Sequence, residues 1–325
     1  MPEPVTIAGE RVAPGEARRL EIRVARLFTG DWLNLHLRVL HGASPGPRLF
    51  LDAAIHGDEL NGMEIIRRVI ESIDARRLAG TILAVPVVNV FGFVQGERYL
   101  PDRRDLNRCF PGSPQGSLAS RLADLFLREV VDQCRYGIDL HTGANHRSNL
   151  PQVRAHLANP ETRRIAEAFG APMMYDAPPI GGSLRATARR RGIHLLVFEG
   201  GEPLRFDTEV IEMGVHGVLR VLRALEMWDS EPPPPGEVFE AGRRKWIRAS
   251  RSGVFYRKAE LGTQVRRGEI LGHILDLSTG QRTELRSPLD GLIIGFTNKP
   301  LTHSGDALVH VAARRGAQVV PRGQR

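Results

Sequence analysis

The sequence predicts an α/β domain with a mostly parallel sheet flanked by helices, followed by a smaller all-β domain. Two observations predict this organisation. Strand-like and helix-like segments alternate as far as residue 228, and the four prolines 232–235 are followed only by short β-like runs with many glycines. Such alternation is typical of a parallel sheet, whose ligands lie beyond the carboxyl ends of the strands.

Each element follows from the hydrophobic pattern. Ile65, Ile66, Val69 and Ile70 recur at the spacing of one helical face, whereas short apolar runs bounded by turn residues predict buried strands. In chain order the prediction is strand 48–55, helix 59–73, strand 81–88, helix 118–131, strand 136–140, helix 160–169, strand 193–198 and helix 207–227. The predicted parts are a β-type segment 1–44 that packs on the α/β domain 45–228, a stiff proline-rich linker 229–237 and a β-rich domain 238–325.

The composition is that of an ordinary globular protein, with 42% hydrophobic and 25% charged residues in a chain of 325. No apolar run approaches the ~18 residues of a membrane helix. The N-terminus has no apolar signal core, and Cys109 and Cys134 cannot build a disulfide framework, so we expect a cytoplasmic protein.

The net charge of +8 comes mainly from dispersed arginines, so we expect neither a nucleic-acid nor a membrane partner. A homo-oligomer remains an open alternative to a monomer.

Ionisable residues follow three of the predicted strands. His56 and Glu59 follow the first, Asp139 and His141 end the strand at 136–140, and Glu199 follows the strand at 193–198. Two histidines and one carboxylate, with a fourth position left open, are the ligands of a catalytic zinc, and Asp139 could accept the other ring N–H of His141. The alternative from these residues alone is that each histidine is a hydrogen-bonded structural residue and Glu199 a capping or surface carboxylate.

Four motifs together resemble the succinylglutamate desuccinylase/aspartoacylase family of zinc-carboxypeptidase-like deacylases. They are His56-Gly-Asp-Glu-Leu-Asn-Gly62, Asp105-Leu-Asn-Arg-Cys-Phe-Pro-Gly112, Asp139-Leu-His-Thr-Gly143 and Phe198-Glu-Gly200. Their order and spacing match the family from about residue 45 to 228, and the family also has a β-rich tail. Asp58 departs from the family pattern, which usually has asparagine there. The resemblance therefore implies a zinc-carboxypeptidase-like fold within the wider deacylase group.

The resemblance also implies roles for individual residues. It implies that His56, Glu59 and His141 bind one zinc ion (Zn²⁺) per chain and that Glu199 is the general base. Asn107 and Arg108 match the pair that grips a substrate carboxylate, and Asp105 could instead simply fix Arg108 in a polar loop. A further arginine of the family, which polarises the scissile carbonyl, is best matched by Arg98, with Arg103 and Arg104 in the same segment.

The tail resembles a biotinyl/lipoyl-type barrel-sandwich, as seen in Gly262-Thr-Gln-Val-Arg-Arg-Gly268 and Ser287-Pro-Leu-Asp-Gly291. A carrier domain needs a lysine at its hairpin tip, and residues 276–282 contain none. We therefore expect this domain to cap the α/β domain and narrow the mouth of its site.

The expected function is that of a zinc-dependent hydrolase, a deacylase that cleaves the amide bond of a small anionic N-acyl amino acid. A zinc carboxypeptidase that acts on peptides and an esterase are alternatives, although a peptide needs an open groove and the cap disfavours one. A non-catalytic small-molecule binding protein with a relict metal site is the alternative from another class. The presence of every expected ligand and of the base disfavours it. The acyl group and the amine stay open.

Overall fold

The computed structural model of the protein describes residues 2–316, and residues 317–325 of the predicted β-rich domain lie outside the described residues. The four strands predicted individually begin and end close to the predicted positions, and others, among them the nine-residue strand Arg147–Ala155, were not predicted. In chain order they are β1 (Val5–Ile7), β2 (Glu10–Val12), β3 (Glu16–Arg26), β4 (Trp32–His41), β5 (Ser44–Ala53), β6 (Ala79–Val85), β7 (Tyr136–His141), β8 (Arg147–Ala155), β9 (Met173–Asp176), β10 (His194–Gly201), β11 (Phe239–Arg248), β12 (Gly253–Arg257), β13 (Gln264–Val265), β14 (Ile270–Leu275), β15 (Arg282–Arg286), β16 (Gly291–Thr297), β17 (Leu301–Thr302) and β18 (Ala307–Arg314).

Most of the helices begin at a local side-chain cap. Ser117, Asn159, Ser183 and Asp207 each accept a backbone N–H from the first turn of the helix that follows them. The helices are α1 (Asn61–Glu71), α2 (Val90–Gln95), α3 (Leu118–Glu129), α4 (Pro160–Phe169), α5 (Leu184–Arg190) and α6 (Thr208–Ala224). A short 3-10 turn, Leu106–Arg108, lies between α2 and α3. No helix of residues 2–316 is long and apolar enough to cross a membrane.

The main sheet is mixed as a whole, whereas the mostly parallel sheet was predicted for the α/β domain alone. Its order through the N-terminal segment and the α/β domain is β3-β4-β6-β5-β7-β10-β8-β9. The four central strands β6, β5, β7 and β10 are parallel to one another, but β4 runs antiparallel to β6 and β8 antiparallel to β10. Only residues 142–146 join β7 to β8, which is too short for the crossover that a parallel strand needs.

Helices cover both faces of this sheet. Alternate residues of β5 point to opposite faces, so Leu51 and Ala53 pack in one hydrophobic cluster and Phe50 in the other. Residues of α1, α4 and α6 belong to the first cluster. Residues of α3 and α5 belong to the second, which also holds the apolar side chains of β1 and β2. The carboxyl ends of β5 and β7 are thus held rigidly between the two layers.

The C-terminal β-rich part is a sandwich that continues the main sheet. β11 pairs in parallel with β9, and β16 pairs antiparallel with β8, so the sheet runs on through β18, β16 and β13. The second layer is a four-stranded sheet in the order β15-β14-β12-β17. Phe255, Ile274, Ile293 and Leu308 belong to the apolar core between the layers. The residues predicted as a linker lie between α6 and β11.

Candidate metal centre and active site

Two histidines and a glutamate meet at the carboxyl ends of β5 and β7. His56 lies in the turn after β5, Glu59 just before α1, and His141 is the last residue of β7. The Nδ1 atoms of His56 and His141 lie 2.7 Å from Glu59 Oε1 and Oε2, respectively. One ligand atom from each residue lies within 4.8 Å of the other two, and all three side chains are buried. The donor set and its spacing suit a single divalent ion such as zinc.

Each of these histidines faces an aspartate with its second ring nitrogen. His56 Nε2 lies 3.3 Å from Asp105 Oδ1, and His141 Nε2 lies 2.8 Å from Asp139 Oδ1. A carboxylate behind a ligating imidazole fixes the orientation of the ring and raises its basicity. The arrangement therefore leaves both Nδ1 atoms facing the Glu59 carboxylate, one at each of its oxygens.

The electrostatics of the cluster favour a cation. Burial alone would raise the pKa of Glu59, but the charges and hydrogen bonds of His56 and His141 lower it well below its usual range. Burial would lower the pKa of His141, yet Asp139 and Glu59 raise it to about 10. The carboxylate of Glu59 is thus stabilised as an anion, and its negative charge is available to a bound cation.

The glycine of the His-Gly-Asp-Glu turn is required by a close approach of two backbone segments. A Cβ atom at Gly57 would lie 2.0 Å from the carbonyl carbon of Gly92 and 2.2 Å from the nitrogen of Phe93, both in α2. These are backbone atoms, so α2 or the His56 turn would have to move.

We expect Gly57→Ala to displace His56, to weaken metal binding and to destabilise the fold by about 1–3 kcal/mol, the usual range for overpacking. The metal content and the thermal unfolding midpoint measure both effects. Gly236→Ala is the control, because a Cβ there meets nothing within 4 Å. Unchanged metal content in Gly57→Ala would contradict the close approach.

Glu199 lies beside the metal centre but inside β10, whereas the sequence predicted that the strand ends before it. The pairing of β10 with β8 continues as far as Gly201, opposite Asn149. In the parallel pairing with β7, Glu199 is opposite His141. Its carboxylate accepts a hydrogen bond from Asn149 Nδ2 and forms an ion pair with Arg154. The alternative of an exposed surface or capping carboxylate is therefore wrong.

Arg98 is the arginine of its segment that reaches the centre. Its guanidinium donates to Glu59 Oε1 at 3.2 Å and to Asp105 Oδ2 at 3.0 Å. Arg103 and Arg104 are exposed, and the ion pair of Arg104 is with Asp102 at 3.8 Å. The family resemblance favoured Arg98 among these three arginines, although all of them precede the Asp-Leu-Asn-Arg motif.

Asn107 and Arg108 lie on the 3-10 turn at the rim of the same cavity. Asn107 Oδ1 accepts the N–H of Leu184 at 2.9 Å, so the amide nitrogen of its side chain is the group left for a ligand. Arg108 is exposed and donates to the backbone oxygen of Asn107. The Asp105 side chain contacts Arg98, His56 and the Asn107 N–H, whereas Arg108 is joined to Asp105 through the backbone, its N–H donating to the Asp105 carbonyl oxygen at 3.0 Å.

A cavity of about 340 Å³ contains all the predicted site residues. Trp246 of β11 and His310 of β18 line one side of it, so the C-terminal part contributes directly to its wall. The two rings are stacked with centroids 4.5 Å apart, and Arg147 lies over Trp246 at 4.9 Å. This volume falls in the range of small-molecule pockets, about 300–1,000 Å³.

Several polar residues of the cavity were missed by the sequence analysis, among them Asn149, Arg154 and Arg185. The first two lie on β8 and the third on α5, and neither element was predicted. Pro151 and several polar residues interrupt the apolar pattern of β8, and α5 is short and rich in arginine. The connection from His141 to β8 is too short for a parallel crossover. Its length is therefore the signal that could have indicated an antiparallel strand in this sheet.

Comparison with known proteins identifies related sequences and structures. The family model for the succinylglutamate desuccinylase/aspartoacylase catalytic domain matches residues 45–225. A curated relative is N-alpha-acetyl-L-2,4-diaminobutyric acid deacetylase from Halomonas elongata, which is 26% identical over 283 residues, 82% of each chain.

Solved structures match the fold over almost the whole chain. A succinylglutamate desuccinylase/aspartoacylase from Rhodobacter sphaeroides has a TM-score of 0.83 at 27% identity, with 92% of this chain and 95% of that chain covered. The product-bound ectoine utilization protein EutE (DoeB) from Ruegeria pomeroyi has a TM-score of 0.82 at 24% identity, with 91% and 95% covered. The match includes the C-terminal β-rich part as well as the α/β domain.

Proposed function

Because the chain belongs to the succinylglutamate desuccinylase/aspartoacylase family, we propose that it is a zinc-dependent deacylase that hydrolyses the amide bond of a small N-acyl amino acid. One observation carries the proposal. The buried His56, Glu59 and His141 share a cavity with Glu199, which is next to His141 in the sheet. The related deacetylase from Halomonas elongata, whose name specifies an N-acetylated diamino acid, supports this reaction class.

Zinc is proposed to be held by His56 Nδ1, His141 Nδ1 and the Glu59 carboxylate. When bound, zinc acts as a Lewis acid that increases the acidity of water and polarises a carbonyl group. Asp105 and Asp139 hold the two imidazoles in the orientation that ligation requires. Glu199 is proposed to transfer the proton, and the arginines of the cavity are proposed to bind and polarise the substrate.

Glu199 is the proposed general base. Of the three carboxylates that line the cavity, Glu59 and Asp139 contact the histidines, which leaves Glu199 to move a proton. In this role it takes a proton from the attacking water and passes it to the amide nitrogen as that nitrogen leaves. Asn149 and Arg154 hold its carboxylate in a fixed orientation.

The arginines of the cavity are proposed to bind and polarise the substrate. Arg98, which is held by Glu59 and Asp105, donates to the carbonyl oxygen on which negative charge develops. The free amide nitrogen of Asn107 and the guanidinium of Arg108 bind the carboxylate of the amino acid. Because Trp246 and His310 wall the cavity, a small substrate fits better than a long peptide.

The test compares N-acetyl amino acids with the matching amino acid amides, which lack the free carboxylate. We expect the zinc-loaded protein to release acetate from the acids and a chelator to remove the activity. In Arg108→Ala we expect kcat/KM to fall about 10–100-fold on the acids, since charge-assisted hydrogen bonds contribute about 1.5–3 kcal/mol. The amides should change far less.

The matched control is Arg104→Ala, which removes an exposed arginine a few residues away. A large loss in Arg104→Ala would reassign the polarising role from Arg98 to Arg104. An equal loss on acids and amides in Arg108→Ala would show that Arg108 supports the loop and does not bind a carboxylate. No hydrolysis of any N-acyl amino acid by the zinc-loaded protein would contradict the proposed function itself.

A further inference from the structure

An aspartate that the proposed mechanism does not use lies inside the main sheet. Asp52 on β5 is fully buried, and neither oxygen of its carboxyl group receives a hydrogen bond from an N–H or O–H group of residues 2–316. An ionised carboxylate is costly in such a position, because it has lost its hydration and has gained no donors in return. The ionised form of Asp52 is therefore disfavoured, and the protonated form has an O–H group that needs an acceptor.

The pairing of the strands places an acceptor next to Asp52. Asp52 is opposite Val85 of β6 on one side and opposite Asp139 of β7 on the other, and Asp139 in turn is opposite Val197 of β10. Residues opposite each other in neighbouring parallel strands lie on the same face of the sheet, about 4.8 Å apart. This row of four residues thus contains two adjacent carboxyl groups between two buried valines.

The carboxyl groups of Asp52 and Asp139 are within hydrogen-bonding reach of each other, and such a bond forms only if one of them holds a proton. Burial first, and then the negative charge of Asp139, raise the pKa of Asp52 well above its usual range, whereas the charge of His141 acts less strongly in the opposite direction. Asp139 also lies 2.8 Å from Nε2 of His141, while the other neighbour of Asp52 in the row is Val85. The proton of the pair therefore belongs to Asp52.

We propose that Asp52 is a positioning residue, a neutral carboxylic acid that donates a hydrogen bond to Asp139 and thereby holds the Asp139 carboxylate toward His141. Asp139 lines the active-site cavity, and Asp52 lies one strand further from it. Asp52 therefore acts on the imidazole of His141 only through Asp139. An acid kept neutral by its apolar surroundings can donate in this way at neutral pH. The inference rests on the metal centre of the proposed function and adds a residue from outside the cavity to it.

The proton on Asp52 also limits the negative charge behind His141 to a single carboxylate. If both members of the pair were ionised, two adjacent anions would repel each other in an apolar layer. A neutral donor orients Asp139 without adding a second charge, and the N–H₂ group of an amide can do the same. Asparagine should therefore replace Asp52, whereas leucine, which has a similar branched shape but no donor, should not.

The first experiment measures the zinc affinity of the full chain at neutral pH, by competition with a chelator of known affinity. We expect Asp52→Leu to bind zinc about 10–100-fold more weakly than the wild type, the usual effect of removing a group that supports a ligating histidine. Asp52→Asn should bind zinc within about threefold of the wild type, because its amide still donates to Asp139. Thermal unfolding of the metal-free proteins confirms that both variants are folded.

The second experiment detects the proton on Asp52 and needs neither zinc nor substrate. At neutral pH, the infrared difference spectrum between the wild type and Asp52→Asn should contain the C=O stretching band of a protonated carboxylic acid. Other protonated carboxyl groups cancel in the difference, and labelling with carbon-13 aspartate should shift the band. The control is Asp229→Asn, which removes an exposed aspartate and should keep the band.

Two results would overturn the positioning role. Absence of the acid band from the difference spectrum would mean that Asp52 is ionised and cannot donate. Equal zinc affinities of Asp52→Leu and Asp52→Asn would mean that the donor does not orient the ligand. Neither measurement uses hydrolysis. Both are therefore distinct from failure of the proposed function, in which the zinc-loaded protein hydrolyses no N-acyl amino acid.

Discussion

Glu199→Gln is expected to lower kcat by about 10²–10⁴-fold, which is the usual contribution of a general base. Glutamine has the shape of glutamate but cannot take a proton from water at neutral pH. Because the side chain lies at the register position opposite His141 and is not among the metal-ligand cluster, zinc content and fold should be unchanged. The measurements are kcat, zinc per chain and the thermal unfolding midpoint.

Glu209→Gln is the control for this variant, because Glu209 is exposed in the first turn of α6 and undergoes the same chemical change. It should leave kcat as in the wild type. Loss of zinc from Glu199→Gln would mean that Glu199 is a ligand, and the proposed division of roles would then be wrong. A kcat within about threefold of the wild type would exclude Glu199 as the base.

His141→Ala is expected to remove zinc and, with it, the hydrolytic activity. The substitution deletes an Nδ1 atom that lies 2.7 Å from Glu59. It also removes the imidazole ring that both Glu59 and Asp139 contact. Changes to groups that merely support a ligand cost 10–100-fold in metal affinity, so loss of a ligand should cost more than about 100-fold. Protein purified without chelator should contain about one zinc per chain in the wild type, and almost none in the variant.

His36→Ala serves as the control, since His36 is an exposed histidine on β4 and is not in the centre. It should bind zinc as the wild type does. Stoichiometric zinc in His141→Ala, measured by atomic emission, would contradict the assignment of this residue as a ligand. Excess zinc added to the assay distinguishes weakened binding from lost chemistry, because only weakened binding is restored.

The metal centre could be predicted from the sequence because its residues follow strongly patterned elements. The apolar runs before His56 and before His141 indicate buried strands without any knowledge of the tertiary structure. Parallel neighbours bring their carboxyl ends to one edge, so these signals favour an approach of His56, Glu59 and His141, and the family resemblance implied their roles as ligands. The structure brings together these three predicted residues.

The partners of Glu199 and Asp105 could not be predicted in this way. Arg154 reaches Glu199 only because β8 inserts antiparallel beside β10, and that neighbour relation depends on the whole sheet. Asp105 is three residues from Arg108, a spacing that suggests a local pair, but its side chain turns toward Arg98 and His56. Both sets of side-chain contacts depend on the tertiary arrangement, which sequence spacing alone does not give.

The main sheet continues from the α/β domain into the β-sandwich, and this restricts how substrate and product can enter and leave the active-site cavity. Trp246 lies on β11, which is hydrogen-bonded to β9, while β16 is hydrogen-bonded to β8, the strand of Arg154. A hinge motion about the proline-rich segment would break both sets of backbone hydrogen bonds. The cavity wall is therefore preorganised, and substrate enters and product leaves through the existing mouth without separation of the two parts.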